Sequence, residues 1–144
     1  MKFSAIKVIK PTTELQKRFV EKINAMRRLE VDALIKTFRE SGCEIVLATA
    51  AADTYVGWIW KGRYLATPMH NNRKREELRG ENKRDAVLHY AKQHNMMLHA
   101  VITDHVDDLA LLMCGAEQNI LVHPSTQTVA AAKMAGVEHL RIIS

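Results

Sequence analysis

Three aspartates follow a short apolar run in the second half of the chain. Asp104 comes directly after residues 98–103, and Asp107 and Asp108 lie within the next four positions. If the run is a strand, the turn after it brings the carboxylates of Asp104 and Asp108 to one side. Hard divalent cations such as magnesium take oxygen ligands of this kind. The spacing fits a second interpretation equally, in which Asp104 caps the next helix and the other two aspartates favour its positive end.

Two further side chains suit the chemistry of a phosphate group. Thr49 ends the apolar run 44–49, where its hydroxyl is able to donate a hydrogen bond to a phosphate oxygen. Lys83 opens a helical segment, where its charge is mildly unfavourable with the helix dipole, and a bound phosphate would offset that cost. A strand-terminal threonine and a solvated lysine are the simpler interpretations, so neither residue identifies a site by itself.

The net charge and the positions of basic residues, cysteines and histidines limit the kinds of function that the sequence supports. The formal net charge is +5 and the sequence pI is about 9.4. Basic residues concentrate between positions 73 and 84, but glutamates interrupt them, which is more typical of a solvated surface than of a nucleic-acid interface. The two cysteines, Cys43 and Cys114, lie far apart, and no histidine pairs with another His or Cys at metal-ligand spacing. Neither a disulfide framework nor a zinc site is predicted.

The same features bear on location in the cell. No apolar stretch approaches the ~20 residues that span a bilayer. The first ten residues lack the apolar block of a signal peptide. Together with the absence of a disulfide pattern, this predicts a cytoplasmic protein without membrane partners.

Helical and strand-like segments alternate from residue 44 onward. Helical periodicity extends over residues 11–39, 82–94, 107–114 and 126–135. Buried-type strands are predicted at residues 44–49, 98–103, 120–122 and 140–143, with a weaker candidate at 64–67. This order predicts an α/β fold, a Rossmann-like three-layer domain with a mostly parallel sheet. Because no linker or repeat interrupts the pattern, a single domain over residues 1–144 is predicted.

Ligands of open parallel sheets bind beyond the carboxyl ends of the strands. The residues that follow the predicted strands are therefore the candidates for chemistry: 49–53, 104–108 and 123–125. Two histidines, His105 and His123, lie in these segments within reach of a ligand. For each, an ordinary hydrogen-bonded histidine is the simpler interpretation.

Three segments, in this order and spacing, resemble motifs of the phosphoserine-phosphatase-like branch of the haloacid-dehalogenase-like (HAD-like) hydrolase superfamily. Residues 45–56 (IVLATAAADTYV) resemble its second motif, 79–87 (RGENKRDAV) its third and 101–112 (VITDHVDDLALL) its fourth. Residues 121–143 (LVHPSTQTVAAAKMAGVEHLRII) resemble its closing strand, helix and strand. The resemblance covers roughly residues 30–144 as a HAD-like core and leaves 1–29 as an N-terminal strand and helix without an assigned role.

The resemblance implies roles for five residues of a phosphomonoester phosphatase. Thr49, with the backbone at Ala50, would bind the phosphoryl group of a phosphorylated small molecule. Lys83 would balance charge between nucleophile and phosphate. Asp104 would ligate Mg²⁺, and Asp108 would support the metal shell through water or an indirect contact. Electrostatic stabilisation and metal positioning of this type carry much of phosphoryl-transfer catalysis.

Two departures from the family pattern limit this expectation. The family's first motif, a strand ending in Asp-x-Asp-x-Thr whose first aspartate attacks phosphorus, is absent: before Thr49 the only aspartate is Asp32, inside a helical pattern. Loss of a covalent nucleophile costs several orders of magnitude in rate, so we expect little or no activity from this chain alone. The fourth motif has Thr103-Asp104-His105 in place of Gly-Asp-Ser, and the imidazole beside the metal position predicts weakened magnesium binding.

The missing first strand also has structural consequences. Residues 3–9 (FSAIKVI) are one candidate for its central position, and a second copy or another protein that pairs with the open edges is the other. A homodimer is expected in either case. The family's specificity cap is absent or reduced to the helix before residue 29, so the resemblance implies no particular substrate.

Three other functions fit the same residues. An active phosphatase would use Asp104, Asp107 or Asp108 as a substitute nucleophile, or an aspartate supplied by a partner. A non-enzymatic module would hold a phosphorylated ligand with Thr49, Lys83 and the strand-end backbone. A nucleic-acid binder would use the basic segment 73–84, and its affinity would depend strongly on salt.

Overall fold

The structure, a computed structural model, describes residues 29–53, 56–57, 60–68 and 77–144. Contacts divide the chain into two compact units, Met1–Leu78 and Arg79–Ser144, and each is described by itself. Three predicted features lie wholly or partly outside the described residues. They are the strand at 3–9, the first part of the helix at 11–39 and the part of the basic segment before residue 77. The single-domain organisation stays a prediction.

The first unit contains a helix and a pair of parallel strands: α1 (Leu29–Glu40), β1 (Val46–Ala52) and β2 (Arg63–Thr67). The predicted helical segment 11–39 ends within one residue of the observed end of α1 at Glu40. Gly42 has a φ of 89°, which a residue with a side chain rarely adopts, and the amide of Cys43 then donates to the carbonyl of Phe38 at 3.0 Å. Such a bond satisfies one of the carbonyls left unpaired at a helix end.

Strand β1 extends beyond the predicted strand end at Thr49. Pairing with β2 is regular up to Ala48, and the register then shifts before pairing resumes at Ala52. Thr49 therefore lies in an irregular stretch inside the strand and is not its last residue, which corrects the prediction. Within this stretch the buried hydroxyl of Thr67 donates to the carbonyl of Ala50 at 2.7 Å, next to the resumed pairing of Ala52 with Thr67. The weaker strand candidate at 64–67 is confirmed as β2.

The second unit is a run of alternating helices and strands. In chain order these are α2 (Gly80–Gln93), β3 (Ala100–Thr103), a 3₁₀ turn (Val106–Asp108), α3 (Leu109–Leu112), β4 (Gln118–Val122), α4 (Thr126–Met134) and β5 (Leu140–Ile143). The strands form one parallel sheet in the order β3-β4-β5. The predicted elements after residue 80 are all present, and the predicted helix at 107–114 is divided between the 3₁₀ turn and α3. The prediction of an α/β fold with mostly parallel strands is confirmed.

The core of this unit lies between the sheet and its helices. Parallel registers place Val101 beside Asn119 and Thr103 beside Leu121, so these side chains share one face of the sheet. That face packs against residues from the helices and connections, and together they form the buried cluster Val101, Leu111, Leu112, Ala116, Leu121 and Ala132. Burial of this apolar surface is the main stabilising term for the unit.

The sheet's carboxyl edge collects the residues that follow each strand. Because all three strands are parallel, Thr103, Val122 and Ile143 end at the same edge. Asp104 and His123 follow directly, which is where strand-end chemistry was expected. In the described part of the chain, no helix has the length and apolar character required to cross a membrane.

Leu112→Ala should destabilise the protein, because Leu112 is 1% exposed and its truncation leaves a cavity in the core. We expect a loss of about 2 to 5 kcal/mol in the free energy of unfolding, measured by urea denaturation. Met113→Ala is the matched control, since the neighbouring Met113 is 50% exposed. It should change stability by no more than about 0.5 kcal/mol. Equal effects of the two substitutions would contradict the described core.

Candidate functional site

Lys83 is a buried cation at the start of α2. The residue is 8% exposed, and its Nζ donates to Oδ1 of Asp108 at 2.6 Å. A lysine is almost never this buried without a partner, because removing its charge from water is costly. The simpler interpretation of Lys83 as a solvated lysine is therefore wrong.

The second oxygen of the Asp108 carboxylate also has a donor. Its Oδ2 accepts a hydrogen bond from the hydroxyl of Thr103 at 2.5 Å. Thr103 is the last residue of β3, and Asp108 is the last residue of the 3₁₀ turn. One carboxylate thus links the end of a strand, the turn after it and the first turn of α2. We call Thr103, Lys83 and Asp108 the lysine–aspartate cluster.

The start of α2 explains why this cluster is favourable. The helix begins at Gly80 after an extended Arg79, and no side chain caps it. A lysine in this first turn adds positive charge to the positive end of the helix dipole. The carboxylate of Asp108 offsets both charges, and its contact with Lys83 is mostly shielded from water. The pair is consequently stronger than an ion pair on an exposed surface.

The turn after β3 is capped by His105 and not by Asp104. Nδ1 of His105 accepts a hydrogen bond from the amide of Asp107 at 3.1 Å. The interpretation of Asp104 as the helix cap is therefore wrong. Nδ1 of His105 also lies 3.4 Å from Oδ2 of Asp107. Asp107 also lies 3.6 Å from Nε of Arg79, in an exposed pair of low energetic value.

The implied magnesium ligands, Asp104 and Asp108, do not fit a shared metal site in this arrangement. Both oxygens of Asp108 already accept hydrogen bonds, one of them from a lysine ammonium that a divalent cation would repel. Asp104 is exposed. Within residues 29–53, 56–57, 60–68 and 77–144, no three or more His, Cys, Asp or Glu side chains are grouped to hold a metal ion. We derive no chemical step through magnesium.

The remaining predicted site residues belong to the first unit. Oγ1 of Thr49 accepts a hydrogen bond from the amide of Ala51 at 3.1 Å. Acceptance leaves the hydroxyl proton available to another acceptor, so donation to a phosphate oxygen remains chemically open. The carbonyl of Ala50 is bonded to Thr67, while its amide is the group that the family resemblance assigns to phosphate.

The structure joins two of the predicted residues and adds one that sequence reasoning did not assign to the site. Lys83 and Asp108 are in direct contact, 25 positions apart in the chain. Thr103 completes the cluster. The sequence feature that indicates Thr103 is its position as the last residue of a predicted strand, immediately before Asp104.

Cys114 is not a candidate nucleophile. Burial raises the pKa of its thiol; Arg84 works in the opposite direction, and Asp85 adds to the rise. Its Sγ donates to the carbonyl of Ala110 at 3.3 Å, one helical turn back. A thiol that is harder to ionise supplies less of the reactive thiolate at neutral pH.

Lys83→Met should destabilise the protein by about 3 to 5 kcal/mol, because it leaves the Asp108 carboxylate mostly buried without its cation. Asp108→Asn should also destabilise, and the double variant should lose less than the sum. The expected coupling energy is about 1 to 3 kcal/mol in a double-mutant cycle followed by urea unfolding.

Arg84→Gln with Asp85→Asn provides the matched cycle for this test, since that pair is more exposed and joins adjacent residues. Its coupling should stay below about 1 kcal/mol. If both cycles gave the same small coupling, the lysine–aspartate cluster would not be a buried interaction.

The raised pKa of Cys114 should appear in its alkylation by iodoacetamide. In a Cys43→Ser background, the rate plotted against pH should have its midpoint at higher pH in the folded protein than in urea. The sign follows because the fold favours the neutral thiol, so stability from this group is present below the unfolded pKa and is lost as pH rises through the folded pKa. Coincident midpoints in the two states would contradict this.

Comparisons with known proteins return no match, since no family model, no curated protein and no solved structure resembles this chain closely enough to be counted.

Proposed function

We propose that this chain is a HAD-like hydrolase-related protein, of the phosphomonoester phosphatase family, with little or no catalytic activity on its own. The contact between Lys83 and Asp108 is the observation that carries the proposal. The motif resemblance assigns these residues to two separate motifs of one site. A shared site requires that they meet in space, and they do.

The chemistry of the cluster supports the absence of turnover. A substitute nucleophile must present a carboxylate oxygen to phosphorus, in line with the leaving group. Both oxygens of Asp108 accept hydrogen bonds, which lowers their nucleophilicity, and the carboxylate is mostly shielded from solvent. Asp107 lies close to Arg79 and in the turn capped by His105. These contacts favour the inactive protein over a phosphatase that uses either aspartate.

Binding of a phosphorylated ligand without catalysis is the second candidate. Thr49 retains a hydroxyl proton to donate, which favours it. The charge of Lys83 is balanced by Asp108, which weakens the attraction for a phosphate. Weak or absent magnesium binding, a homodimer or strand-complementing partner, and a cytoplasmic location remain part of the proposal, and no specific interaction of the described residues supports nucleic acid.

Hydrolysis of p-nitrophenyl phosphate, with and without Mg²⁺, tests the proposal. We expect no turnover above that of the Asp104→Asn variant, because the chain has no nucleophile. Protein folding is verified by circular dichroism, and an active phosphatase serves as the assay control. Asp85→Asn is the matched surface variant, since it also removes an exposed carboxylate, but on α2 and not in the turn after β3.

Magnesium-dependent turnover that Asp104→Asn abolishes and Asp85→Asn retains would overturn the proposal. It would show that a substitute aspartate, or one supplied by a second copy, performs the attack.

A further inference from the structure

Every methionine of the second unit lies at its surface, although methionine is among the residue types that proteins most often bury. Met97 is 88% exposed and Met134 is 89% exposed, while Met96 and Met113 are 41% and 50% exposed. The buried cluster of this unit and the residues packed against it are valine, leucine, alanine and a cysteine, without a methionine. The thioether sulfurs of the unit are therefore separated from its core.

The four methionines share the edge of the three-stranded sheet at which the strands begin. Met134 is the last residue of α4, and Met113 directly follows α3. Met96 and Met97 lie between the end of α2 and the start of β3. Because the strands are parallel, these helix-to-strand connections meet at the amino edge of the sheet, opposite the edge that carries the lysine–aspartate cluster. We call the four residues the methionine edge.

The connections that carry the methionines are held by backbone geometry. Each one includes a residue in the left-handed conformation, with a φ of 52° at Asn95, 79° at Gly115 and 75° at Gly136. The amide of Met96 donates to the carbonyl of Ala91 at 2.8 Å. The amide of Met113 donates to the carbonyl of Leu109 at 3.1 Å. The methionines are thus exposed in the folded protein itself, and a reagent reaches them without any opening of the core.

An accessible thioether reacts with hydrogen peroxide in a two-electron step that gives a sulfoxide. The sulfur attacks one peroxide oxygen, the O–O bond breaks and an S–O bond forms. The departing hydroxide takes the proton of the transferred oxygen and leaves as water, so the sulfur is oxidised and the peroxide is reduced. Each of the four methionines is at or beyond the last residue of its helix, so the added oxygen crowds neither a helix interior nor the core.

We propose that the methionine edge is a site of reversible oxidation by peroxides. Hydrogen peroxide converts its thioethers to sulfoxides in the folded protein, which changes this edge from apolar to polar while the core keeps its packing. Reduction by two thiols restores each thioether and yields a disulfide and water. The inference goes beyond the proposed function, because it involves neither the lysine–aspartate cluster nor a phosphate.

Peptide mass spectrometry of the full chain after treatment with hydrogen peroxide tests the inference. The substitutions Met26→Leu and Met69→Leu confine oxidation to the methionine edge and Met1. A mildly acidic buffer keeps the cysteines as thiols, since the thiolate is the reactive form. We expect Met97 and Met134 to be oxidised in the folded protein at nearly their rates in urea, because most of each residue is accessible to solvent.

The oxidised protein should remain folded. Its circular dichroism and its midpoint of urea unfolding should equal those of the untreated protein, because no sulfur of the methionine edge belongs to the core. Two methionine sulfoxide reductases, one for each sulfoxide epimer, should restore the original peptide masses.

Leu112→Met is the matched control, because it introduces a methionine at a buried position beside Met113 with little change in volume. The introduced methionine should be oxidised at least about tenfold more slowly than Met113, since its sulfur reacts only when the core opens. Circular dichroism of the untreated variant establishes that it is folded.

Three results would overturn the inference: strong protection of Met97 and Met134 in the folded protein relative to urea, loss of the fold on oxidation, or equal oxidation rates of Met113 and the introduced methionine. Sulfoxides that the reductases leave in place would overturn its reversibility. None of these measurements involves phosphate hydrolysis, so failure here is distinguishable from failure of the proposed function.

Discussion

The burial of the Lys83 charge constrains the second unit. A lysine ammonium shielded from water at the positive end of a helix is unfavourable on two counts, desolvation and the helix dipole. Asp108 offsets both, but only while the turn after β3 holds its carboxylate next to the first turn of α2. Thr103 completes the arrangement by donating to the other oxygen. The relative positions of a strand end, a turn and a helix start therefore depend on one charge-assisted contact.

The same contact limits the chemistry of the site. An aspartate whose two oxygens are engaged by Lys83 and Thr103 is a poor nucleophile and a poor metal ligand, although its neighbours suggest both roles. A Lys83–Asp108 charge pair in a chain without the nucleophile agrees with the proposal of a phosphatase-related protein without turnover.

Much of the fold was predictable from local patterns. Continuous apolar runs between helical segments predicted β3, β4 and β5, because such runs are typical of strands in a parallel sheet. Burial on both faces is seen for β4, the central strand of the three, whereas the edge strand β5 exposes Arg141 and Ile142. Two local details were wrong. The strand at Thr49 continues to Ala52, where Thr67 of the neighbouring strand donates to Ala50, and the turn at Asp104 is capped by the next residue, His105. Both errors concern hydrogen bonds whose partner cannot be identified from residue type alone.

The sequence by itself determined the order of helices and strands and the parallel arrangement after residue 80, and it predicted Lys83 and Asp108 as members of one site together with Thr49 and Asp104. Periodicity and strand-end position are local properties, so they can be read along the chain. Only the tertiary structure decided that Lys83 and Asp108 neutralise each other, that Thr103 joins them, and that the methionines of the second unit are exposed at one edge of the sheet. Direction and distance between side chains depend on packing of elements remote in the chain, and no local pattern contains that information.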